Sequence, residues 1–339
     1  MENNNLSGPD KNTYGFAFMS WFVCFLLVVV VLAIVEYSKV TNITNRIAAT
    51  ITNENFCPTN TTNSLCALSP NFDLPIPLNS DKLDFKLAEF ACNLVGCLEY
   101  SFLKTKSNTT TIQITNSEKN PIVKLPVGVE KRATLYYEGR LIGMIVTTPS
   151  TNAIWVVFRG TQTMNEWKQD LMIQQVTSNL FQGLIHKGFL NIYLAIRQGL
   201  LAELTKLSNL DSSSIYITGH SLGSTTSQLL LSDPDLSSTL STKTINKQVH
   251  IFGAPRIGNP AFARSQMNQK IFRFINETDI VTNLPPPVSP NFIGNKNDVF
   301  IYQNMQQQTI LFNDNRYSYE ENHAIKMYMY WLKSQVSSS

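Results

Sequence analysis

In "ITGHSLGSTTS", residues 217–227, Ser221 stands between Gly219 and Gly223 directly after a β-branched run. A Gly-x-Ser-x-Gly segment forces a sharp strand-to-helix turn in which neighbouring side chains would collide, and the two glycines leave room for a hydroxyl raised above the sheet. Such a hydroxyl can act as an acyl-transfer nucleophile, provided a base, an acid and an oxyanion site accompany it. In this Ser-rich chain the five-residue match is weak on its own, so the partners decide the reading.

Where a serine occupies such a turn, its acid and histidine follow in the order Ser, acid, His. Of the four histidines, His186 precedes the serine, His220 adjoins it on the turn and cannot fold back, and His250 falls in a strand, leaving His323 as base. Among downstream acids, Asp233 and Asp235 sit in a turn-like "LSDPDLS" and Asp298 precedes a strand. Asp279 instead follows "IFRFIN" at the carboxyl end of a strand, the edge where α/β sheets bind ligands. There it would hold His323 in one tautomer and stabilise its imidazolium without taking the proton. The alternative for Asp279 is a turn that introduces "NLPPP". Oxyanion donors come from Thr161, at the end of the buried strand "IWVVFRGT", and from the Leu222 N–H, at the positive end of the helix that follows the serine.

These residues need a scaffold that brings distant segments to one edge. Strand-like runs occur at "ATLYYEG", "LIGMIVTT", "AIWVVFRG", "SIYITG", "QVHIFGAP" and "IFRFINETD", and helical patterns separate the later ones. The helix "FLNIYLAIRQGLLAELTKL" carries Leu190, Tyr193, Leu200, Leu201 and Leu204 to cover a sheet. This predicts an α/β fold, a mixed sheet flanked by helices, with strands too apolar to be half-exposed. A net charge of +3 scattered among acids, without a basic stripe, excludes a nucleic-acid partner. No Cys-x-x-Cys or His-x-x-x-His spacing suggests a metal, and no cofactor is expected.

Residues 1–14 read as a tail, and 15–36 as a transmembrane signal anchor built on the uncharged apolar run "FAFMSWFVCFLLVVVVLAIV" with Tyr14 and Tyr37 at its ends. A cleaved signal peptide is the alternative, but the run is longer than an h-region and no small-x-small site follows it. Lys11 on one side, and Lys39 and Arg46 on the other, leave the orientation undecided. Acceptor sequons at Asn42, Asn60 and Asn108, with Cys57, Cys66, Cys92 and Cys97 as an even set, place the catalytic domain on the lumenal or extracellular side. Asn5-Leu-Ser, across the span, shows that sequons also arise by chance in this composition. Residues 37–80 read as a stalk, 81–335 as the catalytic domain and 336–339 as a tail. "DKLDFKLAEFACNLVGCLEY" predicts an amphipathic helix along Leu83, Leu87, Phe90 and Leu94. Cys92 and Cys97 are too far apart on it to bridge each other, so any bonds would tie the 57–66 segment to this helix. Reduced, buried thiols are the alternative.

From about Phe90 to Tyr328 the segments "FRGT", "EWKQDL", "HKGFLNIY", "TGHSLG", "FGAPRIGN" and "DIVTNLPP" resemble, in order and spacing, the class 3, fungal-type, lipase family. The resemblance implies an α/β-hydrolase fold, ester hydrolysis on lipid, Ser221, Asp279 and His323 as triad, and Thr161 with Leu222 as oxyanion hole. It also implies a mobile lid after Thr161. In "TQTMNEWKQDLM", Met164, Trp167 and Leu171 share one helical face with Asn165 and Asp170 turned elsewhere, as an amphipathic cover would; a core-packed helix is the alternative. Family position pairs Arg159 with Asp170 as a latch for the displaced lid. The chain departs from the family at "NFIGNKNDVF", which lacks the Tyr-x-His-x-Gly often found there, and this leaves open the acyl-site wall near Phe292 and Ile293. The expected partner is lipid at a membrane or droplet surface, with no protein partner. Acylglycerol hydrolysis is the leading expectation, with phospholipid hydrolysis, a soluble-ester or peptide hydrolase, and a catalytically silent binding module as alternatives.

Overall fold

The computed structural model describes residues 82–107, 125–161, 173–207, 214–240, 246–290, 299–304, 308–314 and 321–338. The chain begins there with α1 (Phe85–Ser107), β1 (Glu130–Tyr137), β2 (Arg140–Thr148), β3 (Ala153–Phe158), β4 (Gln175–Ser178), β5 (Phe181–His186) and α2 (Lys187–Leu207). It continues through β6 (Ser214–His220), α3 (Leu222–Ser232), α4 (Leu236–Thr239), β7 (Asn246–Phe252), α5 (Pro260–Ser265) and β8 (Ile271–Asn276). The last elements are β9 (Val288–Pro290), β10 (Val299–Ile301), β11 (Gln308–Phe312) and α6 (Ile325–Ser338).

Seven strands form one mixed sheet in the order β1-β2-β3-β6-β7-β8-β11. The β1–β2–β3 ladders are antiparallel, and all ladders from β3 onward are parallel. Both faces are covered, which is why β3 and β6 are buried at every position. Side chains alternate between the faces. Ile154, Val156, Phe158, Ile215 and Ile217 pack with the helices α2 and α3. Trp155, Val157 and Tyr216 pack with α1 and α6 on the other side. Trp155 and Tyr216 are register partners across the β3–β6 ladder, with rings stacked at 4.4 Å, and Phe90 of α1 meets Trp155 edge-on at 4.9 Å. The parallel register aligns Phe158 with Gly219, His220 with Phe252, and Phe252 with Phe274, so the segments after β3, β6, β7 and β8 all leave the sheet at one carboxyl edge.

The expected mixed sheet flanked by helices is what folds, with additions and corrections. The small sheets β4–β5 and β9–β10 and the edge strand β11 were not foreseen. The helix α6 runs through Ser338, into the segment expected to be a tail. Cys92 and Cys97 are free thiols, buried against the sheet and α6, so the proposed tie from the 57–66 segment to α1 is not made. Burial pushes Cys97 up to about 12 and Cys92 well above the usual thiol range, so both stay protonated. The argument for an oxidising compartment loses these two members. The apolar run 16–35, the stalk, Cys57, Cys66 and the sequons lie outside the described residues. Among the described residues no helix is long and apolar enough to cross a membrane.

One buried group sets a pH limit on this core. His250, on β7, is fully buried and stacks on Phe272 at 5.2 Å, and neither ring nitrogen has a hydrogen-bond partner. Burial lowers its pKa from 6.5 to about 3. The unfolded chain therefore binds a proton near pH 6.5 that the folded chain refuses, and stability present above that pH is lost as pH falls toward 3. We expect His250→Phe to flatten this acid limb, a difference on the order of a few kcal/mol by pH 4 that urea unfolding as a function of pH will measure. An unchanged acid limb would contradict it.

Candidate active site

The turn after β6 is held by backbone packed on backbone. A β-carbon on Gly219 would stand 2.3 Å from the Gly223 carbonyl oxygen, and one on Gly223 would stand 2.5 Å from the Arg159 carbonyl oxygen, so strand, turn and helix fit only with glycine at both positions. Ser221 itself takes φ 52°, ψ −122°, sparsely populated for a residue with a β-carbon and costing on the order of 1–3 kcal/mol. The Ser221 N–H donates to the Phe252 carbonyl at 3.0 Å, and the Ser224 hydroxyl donates to the carbonyls of Gly219 and Phe252, which locks the turn against β7.

Asp279 and His323 reach this turn from separate elements. Three residues beyond β8, Asp279 is fully buried, and its Oδ1 accepts the Val281 N–H at 2.9 Å to cap a 3-10 turn over Ile280–Asn283. Its Oδ2 lies 2.8 Å from His323 Nδ1. The carboxylate therefore serves both readings considered from sequence, turn cap and histidine partner. His323 ends a 3-10 turn over Glu321–His323, just before α6, and its Nε2 lies 2.9 Å from Ser221 Oγ. With Nδ1–H donated to the carboxylate, Nε2 of the neutral ring accepts the serine O–H.

Two residues of this arrangement were missed in sequence. Tyr328, on α6, donates its hydroxyl to Asp279 Oδ2 at 2.6 Å. Burial first, and then the Asp279 charge, push the Tyr328 hydroxyl well above its usual range and keep it a donor. Gly253 follows β7 with φ +57°, and a β-carbon there would stand 2.9 Å from Asp279 Oδ2 and 3.1 Å from the His323 ring. A glycine directly after a buried strand, in "FGAPRIGN", was the available signal for this close approach. Tyr328 carried none, because its aromatic ring reads equally as helix core.

Thr161 is buried just beyond β3, and the chain reaches it past Gly160, where a β-carbon would stand 3.2 Å from that of Ser221. Leu222 opens α3, so its N–H has no partner within the helix. His220 directs its two ring nitrogens to Glu99 and to the His323 carbonyl, away from a base role. Met164, Trp167, Asp170 and Leu171 of the expected lid, and Phe292 and Ile293, lie outside the described residues. Arg159 is buried and donates to the Leu141 and Gly160 carbonyls.

Hydroxyl, imidazole and carboxylate thus form one chain of proton-sharing contacts able to raise the nucleophilicity of Ser221. Removing the Tyr328 hydroxyl leaves a buried carboxylate one donor short. Tyr328→Phe is therefore expected to destabilise the protein by about 1–3 kcal/mol, read by urea unfolding; no loss would mean that the contact contributes nothing.

Residues 155–289 match the model of the family described as Lipase (class 3). The chain is 34% identical over 163 residues to a lipase of Rhizomucor miehei, covering 45% of this chain and 43% of that one. It is 30% identical over 154 residues to phospholipase A1-II 1 of Oryza sativa subsp. indica, covering 38% and 39%. Among solved structures, the refined Rhizomucor miehei triacylglyceride lipase is 27% identical, with 60% of this chain and 76% of that chain covered and a TM-score of 0.45. The chain spans less than half the length of these curated relatives. The family match contains Ser221 and Asp279, while Glu99, His323 and Tyr328 fall outside it.

Proposed function

We propose that this protein is a serine hydrolase of the class 3 lipase kind that cleaves carboxylic ester bonds of lipids. The observation that carries the reading is the 2.9 Å contact between Ser221 Oγ and His323 Nε2, backed by the 2.8 Å contact to Asp279. His323 takes the Ser221 proton as the hydroxyl attacks the ester carbonyl, and the N–H groups of Thr161 and Leu222 hold the tetrahedral oxyanion. The imidazolium, stabilised by Asp279, then protonates the departing alcohol. Water repeats the sequence on the acyl-enzyme, with no cofactor required.

A lipid substrate is favoured by the apolar surface beside Asp279. Ile280 and Leu284, on the turn that its carboxylate caps, are 56% and 41% exposed. Further along, Val288 pairs with Ile301 across the β9–β10 ladder, and Val299 shares that face two residues away. All three are exposed, whereas Ser289 on the opposite face is buried. An amphipathic lid at Met164, Trp167 and Leu171, and an anchor over 15–36 holding the domain on the lumenal or extracellular side, complete this reading. A phospholipid substrate is the second reading, favoured by the similarity to the rice phospholipase A1.

Ser221→Ala is expected to lower hydrolysis of an emulsified triacylglycerol by about ten-thousand-fold or more with the melting temperature near wild type. Turnover that survived this change would refute the mechanism, and a wild-type chain inert toward every ester would favour a binding module. Comparing emulsion, phosphatidylcholine vesicles and a short soluble ester separates the substrate classes. A rate that jumps as a soluble ester passes into micelles supports the lid, and a flat response removes it.

A further inference from the structure

Behind the serine turn, away from its solvent side, lies a buried acid that the proposed mechanism does not use. Glu99, on α1, is 1% exposed, and its Oε1 accepts the Gly160 N–H at 2.9 Å. The same oxygen lies 2.8 Å from His220 Nδ1. The other nitrogen of that ring, Nε2, lies 2.7 Å from the main-chain oxygen of His323. A carbonyl can only accept, so Nε2 must carry a hydrogen; where Glu99 is ionised its carboxylate can only accept, and Nδ1 then carries one too. The geometry fits a doubly protonated His220 paired with an ionised Glu99.

The surroundings favour that charge state. Burial pushes the Glu99 carboxyl up, but the His220 charge and hydrogen bond, the Gly160 N–H and the Arg159 charge together hold it below its usual range. Burial likewise pushes His220 down, and the Glu99 charge and hydrogen bond, the His323 carbonyl and the Asp279 charge together hold it above. The other ionisable groups facing the pair are the rings of His323 and Tyr328, 4.6 and 6.1 Å from that of His220, and Cys92 on α1, which stays a thiol.

Both ends of this pair touch the candidate machinery through the backbone. The Gly160 carbonyl accepts from Arg159 Nη1 at 2.6 Å and belongs to the same planar peptide unit as the Thr161 N–H, the donor assigned to the oxyanion. Glu99 holds the N–H on the other side of Gly160, and a β-carbon at that position would stand 2.8 Å from His220 Nδ1. Through His220, the same acid fixes the main chain of the catalytic base.

We propose that Glu99 is a positioning residue: one carboxylate from α1 fixes the Gly160 N–H, immediately before the peptide that presents the oxyanion donor, and, through a doubly protonated His220, the backbone of His323. The proposal rests on the hydrolase reading for its kinetic consequences but not for the charge state of the pair.

The test uses the full chain with Glu99→Gln, which keeps shape and removes the charge, alongside Glu99→Asp and His220→Gln. On a soluble ester, Glu99→Gln is expected to lower kcat on the order of 10- to 100-fold with KM changed less than threefold, because displacement of groups away from the substrate misaligns the reacting centre without removing substrate contacts. Glu99→Asp should recover part of the loss, and the Glu99→Gln, His220→Gln pair should be no slower than the slower single variant. Long-range proton–nitrogen spectra at pH 7.5, with His220→Gln assigning the signals, should show both His220 nitrogens protonated in the wild type and only one in Glu99→Gln. Wild-type kcat in Glu99→Gln, additive losses in the double variant, or a singly protonated His220 in the wild type would each overturn the proposal. A wild-type chain without esterase activity would sink the hydrolase reading instead, and the nitrogen signals would still decide the pair.

Discussion

The close approach of Gly219 to Gly223 is the constraint on which the rest of the site depends. Without β-carbons at these two positions, β6 can end, reverse and begin α3 within a few residues, and Ser221 is forced into a left-handed φ that lifts its hydroxyl clear of the sheet. The penalty of that backbone conformation is offset by hydrogen bonds from the turn to Phe252 and by a sheet buried on both faces. Parallel register then does the rest, because β3, β6, β7 and β8 of the seven-stranded sheet release the chain at the same edge, where Asp279 and the segment carrying Thr161 arrive.

Electrostatically the site holds two acid–imidazole pairs. Asp279, fully buried, meets three partners, the Val281 N–H, His323 Nδ1 and the Tyr328 hydroxyl. Beside it, Glu99 and His220 form a second acid–imidazole pair whose outer hydrogen bonds end on backbone rather than on a reacting group. Two buried imidazoles thus have opposite fates: His220 is held protonated by a carboxylate, while His250, whose ring nitrogens have no hydrogen-bond partner, is held neutral by burial. The same residue type carries opposite linkage to pH because one site supplies a counter-charge and the other does not.

Much of this was legible in the sequence. Strand-like apolar runs marked β1, β2, β3, β6, β7 and β8, and the order Ser, acid, His singled out Ser221, Asp279 and His323, because both can be read along the chain. Glu99 and Tyr328 were not legible. Each lies among buried apolar residues of an amphipathic helix, and nothing in local spacing says that a carboxylate 61 residues before Gly160 will meet its N–H. The short strands β4, β5, β9, β10 and β11 escaped for a related reason, since pairing with distant partners, and not intrinsic pattern, stabilises them. The thiols of Cys92 and Cys97 show the opposite error, in which an even count of cysteines suggested covalent bonds while their positions on the buried face of α1 make them small apolar residues.

The helices α1 and α6, from the two ends of the described structure, lie side by side, with Phe85 edge-on to Trp331 at 5.9 Å and the Cys92 thiol directed at the Ile325 carbonyl. This closure has a consequence in time. Ser221 is synthesised 102 residues before the imidazole that shares its proton, and that imidazole arrives with the segment leading into α6. A growing chain, or one terminated before His323, therefore carries a serine hydroxyl without its imidazole partner.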